Sequence, residues 1–273
     1  MGLKVLLVAV VFLGALGAGL FLAKTSELPL FQVDAALLVI AGSVVLGFLL
    51  GATRALLKGK EKILNGVVVR HGVGSFLEHW GTALGISVLT VSAFCMGFLF
   101  FPSQVNTTAE ALFPLNLHFV GVVITLFGGF FFAGDFLVSR NYSVLIPTPQ
   151  DIIGGFFGKY FLRRKYYNEG KYFGSVKAAF LLFAVIGAGV LATGAIKLAG
   201  HVWPIQASVL ATTSYLHDIF GLLVMLMVIT HLLFLFALKA PWTTIKSWFT
   251  GKVPEEFAKE EHPVWYEELK KNK

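Results

Sequence analysis

The sequence predicts an all-α polytopic membrane protein, a bundle of six transmembrane helices with both termini in the cytoplasm, on three observations. Hydrophobic residues make up 56% of the 273-residue chain and charged residues only 14%, with a mean hydropathy of +0.78, far too apolar for a water-soluble domain. Six apolar runs reach the roughly 20 residues that a helix needs to cross a hydrocarbon core about 30 Å thick. The cations between those runs are one-sided. With the amino terminus in the cytoplasm, Arg54, Lys58, Lys60, Lys62, Arg70, Arg140, Lys159, Arg163, Arg164, Lys165, Lys171, Lys177 and the tail lysines fall inside, while only Lys24 and Lys197 lie near the outer face. The net charge of +7 therefore sets topology. No basic patch interleaved with aromatic residues points to nucleic acid.

In chain order the runs are Val5–Ala23, Ala35–Thr53, Trp80–Phe101, Leu117–Val138, Ala178–Ala199 and Ala211–Lys239. The first follows Lys4 and ends among small residues, as a signal peptide does, but is read as a retained helix. Its Gly14, Gly17, Ala18 and Gly19 would let another helix approach closely. Residues 1–64 hold two additional helices, 65–239 a four-helix core and 240–273 a cytoplasmic tail. Pro102, Pro114 and Pro204 are expected to break the helices at external loops 102–116 and 200–210. The sole cysteine, Cys95, sits in an apolar run, which excludes a disulfide framework, a thiolate iron–sulfur site and covalent haem attachment.

The last run carries the chemistry, because it keeps two histidines. His217 and His231 are fourteen residues apart, about 21 Å and nearly four whole turns of helix, so they share one face near opposite membrane surfaces. Polar side chains in lipid need partners. His79 opens the third run at the inner side and His118 opens the fourth at the outer side. Two depth-matched pairs result, His79 with His231 and His118 with His217. Such pairs suit two stacked, non-covalent haem b groups, each taking two neutral imidazoles as axial ligands of its iron. In the competing reading each histidine simply hydrogen-bonds a neighbouring helix. His71 and His201 in loops, and His262 in the tail, read as solvated. Asp218 either accepts a hydrogen bond from a ligand imidazole or is simply wet, the second being favoured. Asp135 and Arg140 either pair with each other or face haem propionates, and the run Phe127–Phe136 reads as packing.

These residues resemble the gamma, or cytochrome b, subunit of membrane-bound formate dehydrogenases, within a group that includes hydrogenase cytochrome b subunits. The resemblance covers about residues 65 to 271. It is carried by His79-Trp80, His118, the His217 and His231 pair, and the tail from Thr250-Gly251-Lys252-Val253-Pro254 through His262-Pro263-Val264-Trp265-Tyr266 to Leu269. It implies the same haem pairing and a cytoplasmic-side quinone site at Asn168 and Gly170 together with His231. There the family pattern Lys-Tyr-Asn-x-Gly-Gln-Lys reads Tyr166-Tyr167-Asn168-Glu169-Gly170-Lys171-Tyr172, without the flanking Lys and Gln. The resemblance further implies an outer-face iron-sulfur subunit and catalytic dehydrogenase subunit as partners, menaquinone as the expected quinone, and a bacterial or archaeal inner membrane. It leaves room for a higher oligomer. Formate would be oxidised by the partner, since this chain has no soluble domain for that chemistry.

Two rivals stand beside this reading. One keeps the electron path and changes the partner to a hydrogenase or another periplasmic dehydrogenase. The other is a haem-free transporter or passive anchor, against which the lack of paired broken helices or internal repeats counts.

Overall fold

With no water in the bilayer core to satisfy peptide groups, each long apolar run must close its hydrogen bonds within itself as a helix. The computed structural model describes residues 2–59, 61–164, 168–237 and 242–271. Lys60, Lys165, Tyr166, Tyr167 and Lys239, used in the topology and resemblance readings, lie outside the described residues. Helices α1 (Gly2–Thr25) and α2 (Ala36–Leu57) come first. The third span, Val73–Met96, is made of α3 (Val73–Phe76), a π-helical turn (Leu77–Gly81) and α4 (Thr82–Met96). Helices α5 (Thr108–Ser139), α6 (Gly174–Ala199) and α7 (Ala207–Ala237) complete the bundle. All six spans are long and apolar enough to cross a membrane, and the protein is a multi-pass helical membrane bundle.

The third and fourth spans depart most from the expectation. The third span starts at Val73 rather than Trp80 and stops at Met96, because Gly97 turns the chain with φ +79°. Pro114 does not break a helix. It lies inside α5, which starts at a capping box: Thr107 Oγ1 accepts from the Glu110 amide at 3.2 Å, and the Glu110 carboxylate accepts from the Asn106 amide at 2.8 Å. That box fixes the first turn upstream of the proline, and the external loop shortens accordingly.

Helix α5 is the hub on which α1, α2 and α4 pack, whereas α6 and α7 pair with each other. The closest approach belongs to α2, where Ser43, Gly47 and Gly51 recur at four-residue spacing and are buried. A side chain on Gly47 or Gly51 would strike the α5 backbone at Phe127 or Phe131. This small-residue stripe was not among the expectations, and of those named in α1 only Gly19 is buried, against Val120; Gly14, Gly17 and Ala18 are exposed.

On the side assigned to the cytoplasm the chain builds a small cap. Strands β1 (Ile63–Leu64), β2 (Val67–Val69) and β3 (Lys252–Pro254) form an antiparallel sheet in that order, Val68 lying opposite Ile63 on one side and Val253 on the other. Asn65 and Gly66 both take positive φ, as the two-residue turn between β1 and β2 requires. After α8 (Trp242–Thr250), helices α9 (Glu255–Glu261) and α10 (Pro263–Lys271) fold back on the sheet, and Val68, Val253, Ala258, Trp265, Tyr266 and Leu269 form a buried apolar cluster. The tail is thus folded onto the hairpin that precedes the third span. A second π-helical segment, Asp151–Gly158, lies against the start of α6, where Lys177 pairs with Asp151 at 3.1 Å.

Candidate functional site

The inner pair is assembled by the π-helical turn, in which one wide turn carries Glu78, His79 and Trp80 together. The ring centres of His79 and His231 are 6.4 Å apart with their planes tilted by 58°. Two imidazole nitrogens, each about 2 Å from one shared metal ion, put their ring centres roughly 6 Å apart. The spacing fits. Trp248 of α8 stacks on His79 at 4.2 Å and on His71 at 3.9 Å.

The outer pair is defined by what holds each ring. Ser92 Oγ lies 2.9 Å from His118 Nδ1, and Thr193 Oγ1 lies 2.9 Å from His217 Nδ1. Each hydroxyl has one proton, and that proton is already engaged: Ser92 donates to the Leu89 carbonyl at 3.0 Å and Thr193 to the Gly189 carbonyl at 2.7 Å. With the hydroxyl proton on the helix carbonyl, each oxygen accepts from its imidazole, which puts the ring proton on Nδ1 and leaves the lone pair on Nε2. This is the tautomer an iron ligand needs, with the orienting hydrogen bond that ligating histidines ordinarily make.

Contrary to the expectation that it opens its helix, His118 lies nearly three turns inside α5, because that helix begins upstream at its capping box. Among the described residues no group of three or more His, Cys, Asp or Glu could hold a bare ion. An ion held by two imidazoles here would bring its remaining ligands with it, as a porphyrin does, and the four donors fit haem b.

Other polar expectations change. Asp135 pairs with Arg54 at 2.5 Å, not with Arg140, and the same guanidinium reaches Glu78 at 2.9 Å and Ser75 at 3.1 Å. Arg140 instead ends α5 in a left-handed conformation, exposed. Hydroxyls, rather than Asp218, hold the outer imidazoles. Arg54 carried only a topology signal in the sequence, and Ser92 and Thr193 carried none, since a hydroxyl inside an apolar run usually bonds its own helix.

His71 and His262 are not solvated. They are 1% and 0% exposed, because the cap closes over both. Burial, then the charges of Arg70 and Lys171, push His71 down to about 2. Burial and Arg70 likewise push His262 down to about 3, against a hydrogen bond to Gly170. His201 is exposed, as expected.

The segment matched to a quinone site is tied down by the tail. Asn168 is exposed, whereas Glu169 is buried, its carboxylate accepting from the Gly174 amide at 2.9 Å and pairing with Lys159 at 3.4 Å. Burial raises the Glu169 carboxyl despite those partners. His262 Nδ1 donates to the Gly170 carbonyl at 2.7 Å, and the Val264 amide donates to the Glu169 carbonyl at 3.2 Å. From Gly170 the chain runs through Tyr172 to His71, 6.1 Å away, then by way of Trp248 to His79 and His231. Comparison with protein-family models and with curated proteins gives no match.

Proposed function

We propose that this chain is the membrane-embedded dihaem cytochrome b subunit of an oxidoreductase complex, similar to the gamma subunit of membrane-bound formate dehydrogenases. It would accept electrons at its outer face from an iron-sulfur subunit of a formate-oxidising partner and pass them to quinone, menaquinone being expected, on the cytoplasmic side of an inner membrane. The observation that carries this reading is the outer pair, in which two separate hydroxyls, on two separate helices, each lie 2.9 Å from the Nδ1 of one histidine, an arrangement that suits an Nε2 available to iron.

When bound, haem supplies one-electron chemistry through its iron. The residues of the chain hold and orient it: His118 and His217 at the outer level, with Ser92 and Thr193 fixing their rings, and His79 and His231 at the inner level. Both levels lie on spans apolar enough to sit in lipid, where bulk water is scarce. Asn168 and Gly170, together with His231, are the proposed quinone contacts. Quinone reduced there would draw its protons from the cytoplasm, so inward electron transfer separates charge across the membrane. The chain takes part in quinone reduction and leaves formate oxidation to its partner.

Dithionite-minus-oxidised spectra of the purified chain test this directly, with two b-type haems per polypeptide expected. The His118→Ala variant should lose one haem and no longer accept electrons from the partner. A spectrum without b-type bands would leave the transporter or anchor reading in place. The polypeptides that co-purify decide between a formate dehydrogenase and a hydrogenase or other dehydrogenase.

A further inference from the structure

A cavity of about 280 Å³ opens between the inner end of α2, the linker that leads to β1, and the start of the third span. Its lining includes Arg54, Lys58, Lys62, Arg70 and Lys171, against a single carboxylate, Glu61. Two of these cations are already neutralised: Arg54 by Glu78 and Asp135, and Lys171 by Glu61 at 2.6 Å. Among the described residues, Lys58, Lys62 and Arg70 form no ion pair.

Arg70 is the informative one. It is only 2% exposed, and of its donors Nη2 reaches the Lys171 carbonyl at 2.8 Å while Nε and Nη1 are buried without a partner. The rings of Tyr172 and Trp265, each 5.8 Å from the guanidinium carbon, compensate its charge but not these two donors. Gly72 has extended backbone ahead of the third span, so the first amides of that long helix, at Val73, Gly74 and Ser75, have no carbonyl one turn earlier to bond. Those three residues also line the cavity. A buried guanidinium with unpaired donors at Nε and Nη1 suits an oxyanion, and the helix start adds positive potential. The cations also crowd one another: partial desolvation, then the charges of Lys171 and Arg54, lower Lys58 from its ordinary value.

We propose that this cavity is a phosphate-binding site, with Arg70 as its buried cation and Lys58 and Lys62 at its mouth. Its place at the inner membrane boundary makes the headgroup phosphate of an anionic phospholipid the favoured source, since exposed lysines at that level meet the anionic surface of the leaflet.

The test uses the full chain, purified in detergent and stripped of lipid, then mixed with dioleoylphosphatidylglycerol or dioleoylphosphatidylcholine and read by native mass spectrometry. The wild type should retain phosphatidylglycerol in preference to phosphatidylcholine. Arg70→Gln should weaken that retention about tenfold, the scale of one lost charge-assisted contact, with haem spectra unchanged. The Lys58→Gln/Lys62→Gln double variant alters only exposed side chains and should weaken it in the same direction, so the proposal stays testable if Arg70→Gln does not fold. Inorganic phosphate that displaces the lipid at millimolar concentration and raises the melting temperature would support the site with a soluble anion as its source. Equal retention of phosphatidylglycerol by the wild type and both variants would overturn it. So would loss of haem absorbance in Arg70→Gln with lipid retention unchanged, which assigns the guanidinium to a haem carboxylate instead.

Discussion

Single hydroxyls and imidazoles carry the sharpest chemistry in this protein. Thr193 accepts from His217 Nδ1 while its own proton goes to a helix carbonyl, so Thr193→Val should weaken binding at the outer haem by about 10- to 100-fold, and Thr193→Ser should stay near wild type. The haem-to-polypeptide ratio after dilution in detergent reads that difference. His71 and His262 make the opposite kind of statement, being buried and neutral. Their folded values, about 2 and about 3, lie below the ordinary histidine value of about 6.5. Between those limits the unfolded chain binds more protons, so the cap is fully stable above pH ~6.5 and loses stability as pH falls below it. The loss is on the order of 1 kcal/mol per pH unit for each imidazole. Hydrogen exchange of residues 252–271 at pH 7 and pH 5 should show it, and His262→Gln should flatten the dependence.

At the scale of elements, small residues decide which helices touch. Gly51 lies against the α5 backbone near Phe131, so Gly51→Leu should push α2 off its partner and cost about 1–3 kcal/mol. Gly17 has open space around it, and Gly17→Leu should leave the melting temperature in detergent unchanged. The tail acts as a clamp, through the His262–Gly170 and Val264–Glu169 hydrogen bonds. Removing residues 252–273 should release the Asn168–Gly170 segment and expose Val68. Quinone reduction should then slow while both haems remain reducible from the outer side. A normal rate in that truncated chain would place the quinone site away from Gly170. The π-helical turn at Leu77–Gly81 was invisible beforehand, because a single extra residue in a turn leaves no mark on hydrophobic periodicity.

At the scale of the molecule, α5 gathers α1, α2 and α4 on one side, α6 and α7 pair on the other, and the histidine pairs join the two groups: His118 of α5 faces the level of His217 on α7, and His79 meets His231. By the charge asymmetry we propose that both termini face the cytoplasm. In a Cys95→Ser background, Lys197→Cys should therefore react with a membrane-impermeant maleimide from outside intact cells, and Lys62→Cys only after the membrane is opened. The reverse pattern would invert the orientation and exchange the two proposed haem levels. By itself the sequence determined the six spans, the one-sided charge and the fourteen-residue register of His217 with His231, because composition and helical period fix these within one segment. Only the tertiary structure decided that Ser92 and Thr193 orient the outer imidazoles, that Asp135 belongs to Arg54, and that His71 and His262 are sealed from water. Each of those depends on which distant segments meet: the tail reaches the first hairpin through Trp265 and Glu61, 204 positions apart and joined by a hydrogen bond of 2.8 Å. Periodicity within a segment cannot encode a partner that lies beyond it.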